Sequence, residues 1–250
     1  MGLYNGMKKL KINSDVGEGV EWEAELMPFL DSCSIACGGH FGDVFTMRNS
    51  VELAIANNVK IGAHPSYPDK KGFGRNKINI TNNELKDSIV SQIQGLVDIV
   101  NEYNTGLSHV KAHGSLYNTC ARDYDLSLLF VEAVKEFQVD SIYAPYKSVL
   151  AEVAKRFDLK VVNEVFLDRN YNDDYSLVAR NQSNSMILEP NYMLDRYISV
   201  ILRSSLKTIC NSELFIKADT FCIHGDTLNS NNTLKEIYRL YEKKYESFQN

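Results

Sequence analysis

Residues 109–118 read HVKAHGSLYN, and the way this stretch ends is the first indication of the fold. A short apolar run stops abruptly at Lys111 and His113, and Gly114 follows. Polar and charged side chains at the end of a buried strand are costly unless a partner or a function explains them. The chain repeats this pattern after several other short apolar runs. The repetition predicts parallel strands whose ends bring polar groups to one edge.

Seven apolar runs alternate with longer amphipathic segments along the chain. The predicted strands are residues 9–13, 33–37, 59–63, 107–112, 141–145, 159–166 and 214–224. The predicted helices are residues 43–58, 81–103, 124–137, 146–157, 189–208 and 231–246, the second of which opens with a capping-box pattern at Thr81 and Glu84. Strands that alternate with helices imply parallel crossovers. Because no Gly-rich phosphate loop follows the first strand, we predict an α/β fold of the TIM-like (β/α) barrel type, seven-stranded, as one domain over residues 1–250.

The composition is that of an ordinary globular protein. Hydrophobic residues make up 44% and charged residues 24% of the chain, and the net charge is −5. Without a Lys- or Arg-rich run, we expect neither a nucleic-acid nor a membrane partner. The five scattered cysteines favour reduced, mostly buried thiols over a disulfide framework. With no signal-peptide pattern either, the expected location is the cytoplasm.

Polar residues collect where the predicted strands end, which is where parallel barrels build their active sites. Four of the five histidines and several carboxylates fall there, namely His40, His64, His113, His224, Asp15, Glu18, Asp43 and Asp226. A single histidine in such a place is often only a satisfied, half-buried side chain. Four at equivalent positions predict a functional site. His109 lies before its strand ends, and we expect it to be an ordinary buried residue.

Histidines and carboxylates together suit either a divalent metal ion or general acid–base catalysis. The candidate metal ligands are Asp15, His40, His64, His113 and His224, and the candidate catalytic residues add Lys111 and Asp226. None of these residues shows the H-x-x-x-H spacing that places two ligands on one helix face. The sequence therefore leaves open whether a metal ion is bound.

Two cationic residues, Lys111 and Arg75, belong to the same predicted rim. Lys111 either forms a salt bridge with Asp15 or Glu18, or holds a substrate carboxylate or polarises a carbonyl. Arg75 lies in the loop GFGR and either clamps a carboxylate or phosphate or is a solvated loop residue. The further substrate-binding candidates are Glu18, Asp43, Tyr67, Tyr117 and Asn118.

Covalent catalysis has weak support. The chain contains no G-x-S-x-G nucleophile elbow. Cys37 opens the turn CGGH, but we expect it to be a buried structural thiol. Glu21, Glu23 and Glu25, beside Trp22, are expected to form a solvated helix start rather than a catalytic group.

Seven motifs in a fixed order provide a more specific indication. They are NSDVGEG (13–19), SIACGGHFGD (34–43), TMRNSVELA (46–54), IGAHPSYPDKKGFGR (61–75), HVKAHGSLYN (109–118), VFLDRNY (165–171) and ADTFCIHGD (218–226). Together they resemble the LamB/YcsF family, the family of the 5-oxoprolinase A-subunit. The resemblance covers nearly the whole chain, and it is specific because the motifs occur together.

This resemblance implies a seven-stranded barrel of the glycoside hydrolase/deacetylase type. It also implies a cytoplasmic subunit that acts with two other 5-oxoprolinase subunits to open 5-oxo-L-proline to L-glutamate, driven by ATP with Mg²⁺. The chain has no evident nucleotide-phosphate cradle, so we expect ATP to bind at the partners or at a shared interface. Departures from the family pattern, such as Ala112 in place of the usual proline, leave a change of substrate preference open.

Two alternatives remain at this stage. A stand-alone metal-dependent amide hydrolase or sugar deacetylase would hold a divalent metal tightly and need neither ATP nor partners. A non-catalytic ligand-binding or regulatory subunit would keep the pocket without turnover. The sequence separates them poorly, because binding and catalysis use the same types of residue.

Overall fold

Parallel strands close into a barrel at the centre of the molecule. A computed structural model describes residues 10–227 and 229–249, the last five of them by backbone alone. The strands are β1 (Ile12–Val16), β2 (Ser32–Ala36), β3 (Lys60–His64), β4 (His109–Val110), β5 (Ser141–Pro145), β6 (Lys160–Phe166), β7 (Ser205–Lys207), β8 (Glu213–Phe215) and β9 (Thr220–Cys222). The barrel order is β1-β2-β3-β4-β5-β6-β9, and β9 pairs in parallel with both β6 and β1. The predicted seven-stranded TIM-like barrel is confirmed.

Helices cover the outside of this barrel. They are α1 (Glu23–Leu26), α2 (Val44–Ala56), α3 (Asn82–Glu102), α4 (Gly114–Cys120), α5 (Tyr124–Val134), α6 (Val149–Arg156), α7 (Pro190–Arg203) and α8 (Ser230–Gln249), and a 3₁₀ turn covers Met27–Phe29. The capping box predicted at Thr81 and Glu84 begins α3. Asp123 and Ser148 cap α5 and α6 by accepting backbone N–H bonds. Within the described part of the chain, no helix has the length and apolarity that a bilayer crossing requires.

The apolar core lies between the strands and the helices. Ile35 of β2, Val51 of α2 and Ile89 of α3 belong to one cluster of fully buried residues. Parallel strands with covered faces are buried along their whole length, as β1 and β2 are. The cysteines follow the same pattern, since all five are free thiols and all but Cys210 are buried. Burial raises the pKa of Cys37 to about 12, as expected for a structural thiol.

Two boundaries differ from the predicted elements. The helix predicted over 189–208 ends at Arg203, because Ser204 adopts a left-handed conformation with φ 51°. The next residues form β7, which pairs antiparallel with β8. The strand predicted over 214–224 is therefore divided, and only Thr220–Cys222 enters the barrel. Lys9, at the start of the first predicted strand, lies outside the described residues.

The inside of the barrel is polar. Asn13 Nδ2 donates to Thr220 Oγ1 at 3.0 Å, and the Tyr143 hydroxyl donates to Ser32 Oγ at 2.9 Å. His109 lies in the same layer, stacked on Tyr143 with 3.8 Å between ring centroids. Its Nε2 is 3.1 Å from Ser34 Oγ. Burial, and then the charge of Lys111, lowers the pKa of His109 to about 3.

This histidine makes folding stability depend on pH. The unfolded chain binds a proton at His109 with a pKa of about 6.5, whereas the folded protein does not until about pH 3. The contribution is therefore present above about pH 6.5 and is lost as the pH falls. Between pH 6.5 and 5 it amounts to about 2 kcal/mol. Urea unfolding of the wild type and His109→Gln over this range should show a slope shallower by one proton in the variant; equal slopes would contradict the assignment.

Candidate active site

Three histidines and a glutamate meet below the mouth of the barrel. Glu18 follows β1, His40 follows β2, His64 ends β3 and His113 follows β4. One nitrogen or oxygen from each lies within 4.8 Å of the others, and all four residues are buried. Glu18 Oε1 is 2.8 Å from His40 Nε2 and 3.3 Å from His113 Nδ1. The rings of His40 and His113 stack with 3.6 Å between their centroids.

Backbone carbonyls fix the outer nitrogens of two of these rings. His64 Nδ1 donates to the carbonyl of Lys111 at 2.8 Å, and His113 Nε2 donates to the carbonyl of Phe73 at 2.9 Å. A neutral imidazole that donates through one nitrogen carries a lone pair on the other. His64 Nε2 and His113 Nδ1, which lie 3.0 Å apart, therefore face each other as acceptors.

The glycine after His113 holds this arrangement together. Gly114 has φ +55°, and a Cβ added there would lie 2.7 Å from the carbonyl oxygen of Gly74. The N–H of Ser115 donates to the same oxygen at 3.0 Å. The loop that carries Phe73 is thus held against the start of α4, which keeps the Phe73 carbonyl on the His113 ring. This close approach requires glycine at the position after the histidine.

Lys111 occupies the centre of the barrel and is 1% exposed. Its Nζ lies 2.9 Å from Asp15 Oδ1, 2.8 Å from Glu164 Oε1 and 3.3 Å from Cys222 Sγ. Burial alone would lower the pKa of Lys111. Asp15, Cys222 and Glu164 together outweigh burial and hold the pKa of this lysine well above its usual value. The salt bridge to Asp15 is present, and the three donors of the ammonium are directed at these internal partners.

Two nearby carboxyl groups have opposite proton affinities. Burial alone would raise the pKa of Asp15, but His64 and Lys111 outweigh it and hold the pKa well below its usual range. For Glu18, burial and then repulsion by Asp15 and Asp226 raise the pKa well above its usual range. Asp15 is therefore a fixed anion, whereas Glu18 exchanges protons more readily near neutral pH.

A histidine–aspartate pair lies across the barrel from this cluster. His224 Nδ1 is 2.9 Å from Asp168 Oδ2, which also accepts the backbone N–H of His224 at 3.0 Å. Burial alone would raise the pKa of Asp168, but His224 outweighs it and lowers this pKa. The His224 ring stacks on Phe166 with 5.0 Å between centroids. Because the carboxylate holds Nδ1, Nε2 is the ring nitrogen left for a ligand.

A cavity of about 260 Å³ opens above these groups. Pockets for drug-sized ligands measure about 300–1,000 Å³, so this cavity suits a small metabolite. Its mouth carries Arg75, whose Nη2 is 2.5 Å from Asp226 Oδ2 and whose guanidinium lies over the Phe73 ring at 4.8 Å. Within the described part of the chain, Asp226 Oδ1 is buried without a hydrogen-bond partner. Arg75 is therefore a paired residue of the cavity wall.

Comparison with known proteins identifies the family. The model of the LamB/YcsF family matches residues 10–250. The chain belongs to the LamB/YcsF family. The 5-oxoprolinase A-subunit of Campylobacter jejuni subsp. doylei is 38% identical over 244 residues, which are 95% of this chain and 96% of that protein. The protein of the same name from Thermococcus sibiricus is 38% identical over 224 residues, covering 87% and 88%.

Solved structures agree with this LamB/YcsF assignment. The crystal structure of the lactam utilization protein from Thermus thermophilus has a TM-score of 0.86 and 30% identity, covering 95% of this chain and 97% of that one. A GH18 chitinase from Pseudoalteromonas aurantia has a TM-score of 0.54 at 9% identity, covering 92% and 99%. The second likeness shows only that the barrel architecture is shared with glycoside hydrolases.

The LamB/YcsF barrel brings most of the predicted site residues together. The cavity is lined by Asp15, Glu18, His64, Arg75, Lys111, His113, Tyr117, Asn118, His224 and Asp226. His40 lies behind this wall, stacked on His113. The gathering follows from the parallel strands, whose carboxyl ends all face one mouth.

Two predicted substrate-binding residues lie elsewhere. Asp43 caps α2, where its side chain accepts the N–H groups of Phe45 and Thr46. Tyr67 is 2% exposed and lines a separate depression with Thr119. Each residue follows the end of its strand by several positions, where the chain has already turned away from the barrel axis. Their placement as walls of this cavity is corrected.

Two acidic residues of the site were missed by the sequence reasoning. Asp168 comes two residues after β6 ends, so the same rule that selected the histidines would have selected it. Glu164 lies inside β6, and its role depends on Lys111 reaching it from β4 across the barrel. Local sequence carries no signal for a pairing of that kind.

Glu23 also differs from its expected role. It is 6% exposed rather than solvated. Its carboxylate accepts the N–H of Gly17 at 2.7 Å and the hydroxyl of Ser50 at 2.5 Å. Burial raises the pKa of Glu23, although both hydrogen bonds oppose this. Through Gly17, Glu23 holds the loop that presents Glu18 to the cavity.

Proposed function

We propose that this chain is one subunit of an ATP-dependent 5-oxoprolinase that opens 5-oxo-L-proline to L-glutamate. The observation that carries the proposal is a metabolite-sized cavity with a guanidinium at its mouth and a histidine–aspartate pair on its wall, in a chain whose relatives, named as 5-oxoprolinase A-subunits, are 34–38% identical. Their name supports a multi-subunit enzyme. We propose two partner subunits, a cytoplasmic complex, and ATP with Mg²⁺ bound by the partners or at a shared interface.

Arg75 and Asp226 are the residues that orient the lactam. The substrate carboxylate binds the Arg75 guanidinium, a donor geometry suited to carboxylates. The lactam N–H donates to Asp226 Oδ1, which is the buried oxygen left without a partner within the described residues. Lys111 does not take the carboxylate in this arrangement, because Asp15 and Glu164 already surround its ammonium.

ATP overcomes the stability of the lactam. Transfer of its terminal phosphoryl group to the lactam carbonyl oxygen makes the ring carbon electrophilic. His224, held by Asp168, takes a proton from a water molecule that adds to this carbon. The carbon–nitrogen bond then breaks, the ring nitrogen takes up a proton, and an acyl phosphate remains. A second water molecule converts the acyl phosphate to glutamate and inorganic phosphate.

The decisive experiment measures glutamate release from 5-oxoproline by the purified chain, with and without its candidate partner subunits and ATP. We expect glutamate only when partners and ATP are both present. Glutamate formed by the chain alone would identify a stand-alone hydrolase. Binding of 5-oxoproline without glutamate in the full complex would identify a regulatory subunit. The comparisons with known proteins favour neither alternative.

Replacing Arg75 with methionine should weaken substrate binding. A hydrogen bond between charged groups contributes about 1.5–3 kcal/mol, so the KM for 5-oxoproline should rise about 10- to 100-fold with a smaller change in kcat. Steady-state kinetics of the complex measure both constants. Arg48→Met is the matched control, because Arg48 pairs with Glu102 on the outer surface. An unchanged KM in Arg75→Met would remove Arg75 from substrate binding.

A further inference from the structure

We propose that Glu18, His40, His64 and His113 form a binding site for one divalent metal ion, and that zinc is the ion their chemistry fits best. The inference goes beyond the proposed lactam opening and does not depend on it. Three imidazoles and one carboxylate are a donor set typical of protein zinc sites. The four side chains come from four different strand ends and converge on one buried point.

The main argument is the direction of the lone pairs. His64 Nε2 and His113 Nδ1 lie 3.0 Å apart, and neither carries a proton in the neutral rings, because the outer nitrogens donate to backbone carbonyls. Glu18 Oε1 adds a third acceptor, 3.3 Å from His113 Nδ1 and 4.0 Å from His64 Nε2. Three acceptors directed at one another repel unless a cation lies between them.

The spacing matches a tetrahedral ion. Zinc–nitrogen and zinc–oxygen bonds of about 2.0–2.2 Å place neighbouring ligand atoms roughly 3.4 Å apart. The separations among Glu18 Oε1, His64 Nε2 and His113 Nδ1 run from 3.0 to 4.0 Å. His40 Nε2, 2.8 Å from Glu18 Oε1, supplies the fourth donor. Small side-chain shifts therefore suffice to bind the ion.

The surroundings of the rings are also those of metal-binding histidines. Such histidines almost always donate their other N–H to a carboxylate, a carbonyl or water, which fixes the ring orientation. His64 and His113 both do so, through the carbonyls of Lys111 and Phe73. His40 differs, because its Nδ1 is buried without a hydrogen-bond partner within the described part of the chain. His64 and His113 should therefore be the stronger ligands.

The structure changes the ligand set that the sequence suggested. Asp15 is bound to Lys111, and His224 is bound to Asp168, so both are engaged elsewhere. Glu18 takes their place. A divalent ion bound at this position, at the cavity wall, could polarise a carbonyl or lower the pKa of a bound water molecule.

The test measures metal binding by the full chain without partners or ATP, so its outcome is separate from that of the activity assay. Chelator-treated protein is titrated with zinc chloride by calorimetry, and with cobalt chloride followed by visible absorbance. We expect one ion per chain and the intense absorbance of tetrahedral cobalt. His64→Ala and His113→Ala should weaken binding by more than about 100-fold, and His40→Ala should weaken it less. His224→Gln, a change in the same cavity but outside the cluster, should leave affinity unchanged.

Circular dichroism checks that each variant is folded. If an alanine variant fails to fold, His113→Gln and Glu18→Gln keep the side-chain size, and the wild-type stoichiometry and cobalt spectrum still decide the question. The proposal is overturned if the wild type binds no stoichiometric zinc or cobalt, or if folded His64 and His113 variants bind as the wild type does. In the first case the acceptors share a proton instead of a metal ion.

Discussion

Replacing Lys111 with methionine is expected to lower the free energy of unfolding by about 3–5 kcal/mol. The ammonium is 1% exposed and lies close to Asp15 Oδ1 and Glu164 Oε1, at 2.9 Å and 2.8 Å. Methionine has a similar volume but no charge, so the variant leaves two carboxylates in the barrel without their cation. Urea unfolding at pH 7 measures the loss.

Lys60→Met is the matched control for this prediction. Lys60 also pairs with an aspartate, Asp31 at 3.0 Å, but its side chain is 61% exposed. Exposed ion pairs contribute about 0–1 kcal/mol, so the control should stay within that range. Adding Glu164→Gln to Lys111→Met removes one of the orphaned charges and should recover part of the loss. A loss for Lys111→Met as small as that for Lys60→Met would show that its charge does not hold the barrel interior together.

Removing the histidine–aspartate pair should have the largest effect on activity. In a reconstituted complex, His224→Gln and Asp168→Asn should each reduce kcat for glutamate formation by about 10²- to 10⁴-fold. His224→Gln removes the base. Asp168→Asn weakens the hold on Nδ1, which fixes the tautomer that leaves Nε2 as the acceptor.

Asp173→Asn serves as the control for Asp168→Asn. Asp173 lies further along the same loop and accepts hydrogen bonds from Thr208 and Ser212, outside the cavity. It should keep wild-type kcat. Thermal unfolding of each variant separates a loss of activity from a loss of fold. A folded His224→Gln complex with wild-type kcat would show that another group activates the water.

Much of the fold could be predicted because it depends on local pattern. Alternating short apolar runs and amphipathic segments specify strands and helices by their periods, and parallel crossovers then lead to a closed barrel. The error over residues 189–224 has a local cause. Ser204 takes a left-handed conformation that few serines adopt, and Leu206 and Leu214 pair in a hairpin instead of extending their neighbouring elements.

The sequence by itself also determined where the site lies. Residues that directly follow parallel strands must share one mouth, so the four rim histidines and Asp15 could be assigned to it without coordinates. What only the tertiary structure decided is how these groups pair. Lys111 reaches Asp15, 96 positions away, and His113 faces His64 across 49 positions. These pairings depend on the direction of each side chain across the barrel, because charge and lone-pair interactions act over a few ångströms whereas sequence order specifies only which strand each residue leaves.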